Sequence, residues 1–238
     1  MNDGPVVAIV PAYDAAPSVG AVVAGLVAAF AAIPSFRGVI VVDDGSSDST
    51  SDVAASAGAV VVRHRRNRGK GAALRTGLAR ALSAGARVAV SVDADGQHPA
   101  AEAVKLARHD CPEEALVLGV RDLVRAGAPR PNQFSNEISN FFLSLFTGRD
   151  LHDTQCGLRR YPVARTLSLA PRDDGYAFEA ECILRAARAG WHIVEVPVDV
   201  YYPSEEERVS HFHVVRDPAR IVYRVVATLA TTRAQASG

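Results

Sequence analysis

Apolar positions in the first half of the chain come in short unbroken runs. Pro5–Val10, Val39–Val42, Ala59–Val62, Val88–Val92 and Ala115–Val120 are each four to six residues long and bounded by polar or glycine-bearing turns. Runs of that length read as strands buried on both faces. Between them lie helical patterns. One covers roughly Ser18–Ala32, and a second runs through Ala57 behind a Ser/Asp/Thr cluster that suits a helix start. A third carries Leu74, Leu78 and Leu82 at i, i+4 spacing and stops at Gly85. A fourth, Ala100–His109, follows Pro99, which fits a helix's first position because no backbone N–H is needed there. Strands alternating with helices predict an α/β fold with a doubly wound, mostly parallel, Rossmann-like sheet.

After Asp122 the rhythm breaks. Val124–Gln133 reads as a loop rich in proline, glycine and arginine. Ser135–Thr147 reads as a helix with an apolar stripe of Ile138, Phe141, Phe142 and Leu145. A strand over Gln155–Tyr161, a short helix over Thr166–Leu169, a helix over Tyr176–Ala189 ended by Gly190, and a strand over His192–Val200 follow. Arg159 and Arg160 alternate on their strand, so only one can face a pocket. A second loop, Pro203–His213, precedes a terminal helix from about Pro218 to Thr231. The division expected is a main domain over 1–215, with halves 1–122 and 123–215, and a helix and tail over 216–238.

Composition narrows the field. Lys plus Arg and Asp plus Glu both total 26 in 238 residues, so the net charge is zero and a basic nucleic-acid-binding face is not expected. Cys111, Cys156 and Cys182 are odd in number and widely spaced, as free thiols in a reducing cytosol would be. An apolar strand beginning near Val6 leaves no room for a signal peptide. The longest apolar stretch, Val19–Ile33, is short and alanine-rich for a membrane span and suits a buried helix better. A cytoplasmic protein is therefore expected.

The chemistry gathers where strands end. Val88–Val92 feeds Asp93-Ala94-Asp95-Gly96-Gln97-His98-Pro99, and Val39–Val42 feeds Asp43-Asp44-Gly45-Ser46. The first strand ends in Pro11-Ala12-Tyr13-Asp14. In open α/β sheets ligands bind at such C-terminal edges. Paired carboxylates on one rim suit a hard divalent ion that keeps positions open for phosphate oxygens. Tyr13 could lie against a base, with Asp43 or Asp44 accepting from the base or ribose. Neither aspartate is needed to cap the next helix, since Ser46, Ser47 or Asp48 could do so. The basic loop Arg65–Gly71 offers N–H groups and the Lys70 cation opposite the acidic rim. It lacks the Walker spacing, and no Gly-x-Gly-x-x-Gly follows the first strand, so neither a P-loop nor a nicotinamide site is expected.

Val10-Pro11-Ala12-Tyr13, Val42-Asp43-Asp44-Gly45-Ser46-Ser47-Asp48, Gly69-Lys70-Gly71-Ala72, Asp93-Ala94-Asp95-Gly96-Gln97-His98-Pro99 and Asp153-Thr154-Gln155-Cys156-Gly157-Leu158-Arg159 stand in that order. Together they resemble the family-two glycosyltransferases of GT-A fold. The branch they are most similar to is the polyprenyl-phosphate glycosyltransferases, including dolichyl-phosphate mannose and glucose synthases. The resemblance covers roughly residues 5 to 217. It implies a GT-A sheet with a C-terminal acceptor-side extension and inverting transfer from a UDP- or GDP-sugar to a polyprenyl phosphate, with Mg2+ or Mn2+ as cofactor. Asp93, Asp95 and Gln97 would then stand at the metal and diphosphate. Pro11, Tyr13, Asp14, Asp43, Asp44, Lys70 and Ala94 would line the nucleotide side, and Arg121 would meet phosphate. Arg208 and Ser210-His211 resemble a C-terminal loop near the diphosphate. Three positions depart from the pattern: Asp14-Ala15 stands where Asn-Glu is frequent, His211 where a lysine is usual, and Pro131 and Gln133 where basic residues are usual.

An alcohol acceptor would need a general base, whereas a phosphate is already anionic. Asp153, Glu179 and Glu181 are the candidates for a base or positioner. At 100° per residue Glu179 falls among Cys182, Ile183 and Ala186, where a carboxylate is costly unless used. Glu181 shares a polar face with Arg185 and Arg188 and reads as a surface ion-pair residue. Asp153 reads equally as a turn residue. His64, His98 and His152 read as structural, with His98 nearest the acidic rim, and Trp191 as core. Ile221, Val222, Val225, Val226 and Leu229 make an apolar stripe on the terminal helix that suits a peripheral membrane contact or packing on the body of the protein. A soluble saccharide or protein acceptor, a nucleotidyltransferase and a non-catalytic nucleotide-sugar-binding protein are the competing readings. Self-association stays open.

Overall fold

A computed structural model describes residues 4–202. In chain order the strands are β1 (Val6–Ala12), β2 (Phe36–Asp43), β3 (Val60–Arg63), β4 (Val88–Ser91), β5 (Leu116–Arg121), β6 (Arg159–Pro162) and β7 (Ile193–Val198). The helices are α1 (Ala16–Phe30), α2 (Thr50–Ser56), α3 (Lys70–Ser83), α4 (Ala100–Arg108), α5 (Arg130–Thr147), α6 (Val163–Ser168) and α7 (Ala177–Arg188). The strands form one sheet in the order β3-β2-β1-β4-β6-β5-β7. All the pairings are parallel except those of β6, which runs antiparallel between β4 and β5. The mostly parallel α/β fold expected from the pattern is what forms.

The apolar runs are explained by burial on both faces. Along β1, Val7 and Ile9 enter one core with Leu74 and Leu78 of α3 and Phe178 and Ile183 of α7. Val6, Ala8 and Val10 enter the other, with Val19, Val23, Leu26 and Phe30 of α1 and Leu106 of α4. Each Leu, Ile or Phe so buried contributes about 1.5–3 kcal/mol. Trp191 is core as expected, with the Arg165 guanidinium 4.3 Å from its ring centre. Cys111, Cys156 and Cys182 form no disulfide among the described residues.

Three expectations for the second half are corrected. The strand expected over Gln155–Tyr161 forms only at β6. Residues 155–158 stay irregular, and the Arg159 guanidinium, fully buried, donates to the carbonyls of Thr154 and Cys156 and holds them in that shape. The loop expected over Val124–Gln133 yields its last four residues to α5, because Pro129 caps the helix and Pro131 sits in its first turn, where a missing N–H costs nothing. The apolar stripe of α5 does not point inward. Its buried face is Ser135, Asn136, Ser139 and Leu143, while Phe141 is 64% and Leu145 62% exposed. The reason is the neighbour: Ser139 meets Thr154, Ser135 meets Gln155, and Asn140 bonds both Thr154 and the His152 carbonyl. The loop Pro203–His213, with Arg208, Ser210 and His211, and the terminal helix Pro218–Thr231 lie outside the described residues.

Candidate active site

The tips of β1, β2 and β4 open on a cavity of about 430 Å³ that Pro11, Tyr13, Asp14, Asp44, Lys70, Asp93, Ala94, Asp95, Gln97 and Arg121 line, with Glu179 of α7. The hollow sits where β1 sends its chain to β2 on one side and pairs with β4 on the other, the strand-order switch at which α/β sheets leave a crevice.

The acidic rim is built by β4. Asp93 stands two residues past its end and is half-buried, and Lys70 Nζ lies 2.7 Å from Asp93 Oδ1. Burial alone would raise the Asp93 carboxyl, but the Lys70 charge beside it holds it below the usual carboxylate range. Gly157 lies close against it, where a Cβ would come 2.6 Å from Asp93 Cγ. A side chain at 157 would have to push this carboxylate aside. Asp95 stands exposed at the rim and accepts the Gln97 N–H at 3.0 Å. Protein crowding one side of its carboxyl, and then the Asp93 charge, push it up to about 6. A carboxyl raised by a like charge is one that a cation would suit. Among the described residues no three His, Cys, Asp or Glu side chains cluster as a closed metal cage. Two carboxylates and the Gln97 amide along one rim are the oxygen donors that a hard divalent ion takes.

Lys70 opens α3. Its neighbour Gly69 has φ 101°, and a Cβ there would lie 3.0 Å from the Asp174 carbonyl carbon, so the turn that aims Lys70 requires glycine. Asp44 holds the turn from below, accepting the N–H groups of Arg68 (3.0 Å) and Gly69 (2.6 Å). Lys70 Nζ also lies 3.4 Å from Glu179 Oε1. Burial works against the ammonium, yet Asp93 and Glu179 together hold it above its ordinary value.

Several residues singled out from the sequence do other work. Asp43 does not line the cavity. It is fully buried, accepts the Ser46 N–H at 2.8 Å and the Ser51 hydroxyl, and lies 3.5 Å from Arg63 Nε. Asp44 does line it, but all its oxygens are already engaged: His64 Nδ1 donates to Oδ1 at 2.6 Å, besides the two backbone bonds. Asp14 accepts the Ser47 N–H at 2.7 Å. Asp153 does not line the cavity either. It is fully buried and grips Arg121, through Nε at 2.7 Å and the backbone N–H at 3.0 Å, so it aims that guanidinium rather than meeting a substrate. Glu181 is corrected too: it is 1% exposed, not a surface residue. Residues 172–173 fold over that face of α7, their N–H groups donate to Glu181 Oε2 at 2.9 and 2.8 Å, and Arg185 holds Oε1.

Glu179 is the carboxylate of that pair that reaches the cavity. It is 5% exposed, and its Oε1 makes no hydrogen bond but lies near Lys70 and, at 3.9 Å, Arg159 Nε. Arg159 and Arg160 do take opposite faces. Arg159 lies behind the cavity, and Arg160 reaches the Cys111 sulfur at 2.8 Å. His98 also lines the cavity, and burial pushes its imidazole down to about 4. Tyr176 and Tyr202 also line the cavity and were not singled out, while Gln155, which lines it too, stands in the Asp153–Arg159 motif. Tyr202 could have been found by the strand-end rule, since it follows β7; its hydroxyl lies 3.4 Å from Arg121 Nη1. Tyr176 carries no comparable local signal.

Residues 7–165 match the Glycosyl transferase family 2 domain. The chain belongs to that family. This family-two glycosyltransferase is 28% identical over 233 residues to a UDP-N-acetylglucosamine–dolichyl-phosphate N-acetylglucosaminyltransferase of Methanococcus voltae, covering 85% of this chain and 88% of that one. It is 32% identical over 173 residues to a polyprenol monophosphomannose synthase of Mycolicibacterium smegmatis, covering 67% and 65%. Among solved structures, the glucosyl-3-phosphoglycerate synthase of Mycobacterium tuberculosis in complex with Mg2+ and UDP shares the fold, with a TM-score of 0.71, 20% identity, and coverage of 96% of this chain and 79% of that one. The glycosyltransferase has no helix among its described residues long and apolar enough to cross a membrane.

Proposed function

We propose that this glycosyltransferase moves a sugar, with inversion, from a nucleoside-diphosphate donor to a polyprenyl phosphate, with Mg2+ or Mn2+ at the β4 rim. The observation that carries the reading is the shared cavity, in which two acidic residues of the rim face two cations, Lys70 and Arg121. Relatives named for dolichyl-phosphate and polyprenol transfer, and a structural neighbour holding Mg2+ and UDP, support it.

The divalent ion, when bound to Asp93, Asp95 and Gln97, would offset the charge that gathers on the departing diphosphate. The chain's own residues do the rest. Lys70 and Arg121 lie within reach of a diphosphate held against the rim and stabilise the same developing charge in a partly water-excluded hollow. Asp153 keeps Arg121 in place. Tyr13, Pro11 and Asp14 wall the nucleoside end. The acceptor oxygen attacks the anomeric carbon from the face opposite the leaving group, the glycosidic C–O bond breaks, and the nucleoside diphosphate leaves with its electron pair.

The carboxylates bear on the acceptor. Of the three that the sequence offers as a base, Asp153 and Glu181 are spent on holding protein, and Glu179 is paired to Lys70. A phosphate acceptor needs no proton removed, so this arrangement favours it over an alcohol. The test is transfer of labelled sugar from UDP- and GDP-sugars into an organic-phase polyprenyl phosphate, with Mg2+, Mn2+ or chelator. Metal-dependent labelling of the lipid is expected. Labelling of a soluble saccharide in preference to the lipid, or transfer undiminished by chelator, would refute the reading.

A further inference from the structure

The proposed metal rim already holds a cation. Lys70 Nζ lies 2.7 Å from Asp93 Oδ1, and the Gly157 backbone lies close against the same carboxyl, so Asp93 has an ammonium on one oxygen and backbone beside it. A divalent ion taking Asp93 must share it with Lys70 or displace it. The lysine cannot retreat by shifting its backbone, because Asp44 pins Gly69 and the Asp174 carbonyl accepts the Ala72 N–H in the first turn of α3. Its four-carbon stem can swing, since the ammonium is a compact charge with three rotatable donors. The cavity is open to it, since Lys70 lines it and the side chain is 15% exposed. Glu179 lies 3.4 Å from Nζ with an Oε1 that makes no hydrogen bond, so the ammonium keeps a counter-charge when it leaves Asp93.

We propose that Lys70 is a resident counter-ion that holds the divalent ion off Asp93 until a diphosphate enters and draws the ammonium to itself. The inference rests on the reading of Asp93 and Asp95 as the metal rim. It makes Lys70 a device that couples the two ligands. The ion alone meets a competing charge, and the diphosphate removes that competition. By linkage, each ligand then strengthens the binding of the other by the same factor.

The test is titration of the full chain with Mn2+ alone, followed by electron paramagnetic resonance, then repeated with UDP and with GDP. Groups bordering a metal ligand shift metal affinity by about 10–100-fold. Lys70→Met is expected to bind Mn2+ alone about 10-fold more tightly than the wild type, and to lose most of the gain that nucleotide gives the wild type. Lys70→Arg keeps the charge and the wild-type pattern. Lys70→Met leaves Glu179 buried without its nearest cation, so Lys70→Met with Glu179→Gln removes both charges and is expected to show the same tightening, with thermal melting as the check on folding. A lysine that merely braced the site would leave Mn2+ binding weaker on removal, and that result in both variants would overturn the inference alone. Tight Mn2+ binding that survives a further Asp95→Asn change would overturn it together with the metal-rim reading.

Discussion

At the tip of β2, Asp43 and Asp44 are surrounded by donors: Ser46, Ser51, His64, Arg68 and Gly69 all give them hydrogen bonds. At the tip of β4, Asp93 and Asp95 meet one ammonium and one backbone N–H. The two acidic motifs look alike in sequence and follow equally buried strands. They differ in what the neighbouring loops supply. The Ser46–Ser51 turn and the Arg65–Gly69 loop fold back on the β2 carboxylates and use them as anchors. The β4 carboxylates face a hollow, crowd each other, and keep unmet demand for positive charge. A carboxylate saturated by its own chain holds the site together, and one left short of donors is free for chemistry.

Removing charge from the unsaturated pair tests this contrast most severely. Asp95 is exposed, so Asp95→Asn is expected to leave the melting temperature nearly unchanged while lowering sugar transfer by about 10²–10³-fold, as loss of a group acting on transition-state charge does. Steady-state rates over a Mn2+ series check it. A rate within a few-fold of wild type would erase the distinction between the two tips.

Gly157→Ala acts on the same pair without touching its charge. The new Cβ would collide with the Asp93 carboxyl, which is wedged against Lys70 and has nowhere to go without giving up that contact. Metal affinity is expected to fall about 10–100-fold, the size seen when a ligand's support is lost, and transfer to fall with it. Raising Mn2+ should restore part of the rate, which it cannot do for Asp95→Asn if the ligand itself is missing.

The saturated pair responds differently. Asp44→Asn turns one acceptor oxygen into a donor facing the N–H groups of Arg68 and Gly69, and the unmade bonds are expected to cost about 1–3 kcal/mol. Chemical denaturation reads that loss. Donor affinity should fall less than it does for Asp95→Asn, because the effect on Lys70 travels through the Gly69 turn.

These expectations show what the amino-acid order could and could not say. The fold of residues 5–122 was legible because a parallel sheet buried on both faces writes its strands as apolar runs. β6 was less so: Arg159, Arg160, Tyr161 and Pro162 bury two guanidiniums, and only the loops around them explain how. The inward face of α5 was misread for a related reason, since its partner at Thr154-Gln155 is polar. At the site, the Asp93-x-Asp95 rim, Lys70 and the cavity-facing Glu179 could be found from strand ends and helix phase. The engagement of Asp43, Asp153 and Glu181 could not. Each is settled by donors 3 to 32 residues away, such as Ser46 and Arg121, whose approach depends on the finished packing. Helix phase put Glu181 on a polar face correctly, but no local rule announces that Arg172 and Asp173 come back to cover it.

The smallest effect on catalysis should belong to Asp43, and its signature is in pH. Burial would raise its carboxyl, but hydrogen bonds from Ser46 and Ser51 outweigh that and hold it below its ordinary value of 3.8. A folded value below the unfolded one means the ionised group stabilises the fold. That contribution is complete above the unfolded value and disappears as pH falls through the lower folded one. Asp43→Asn has no such group to titrate. Its stability deficit against the wild type should therefore be constant at neutral pH and shrink below about pH 4, while transfer by the folded enzyme stays close to wild type. Urea melts of the two proteins at pH 7 and at stepwise lower pH make the comparison. A deficit that widened in acid would mean that Asp43 is protonated more readily in the folded protein than in the unfolded chain, and the β2 tip would then resemble the β4 rim after all.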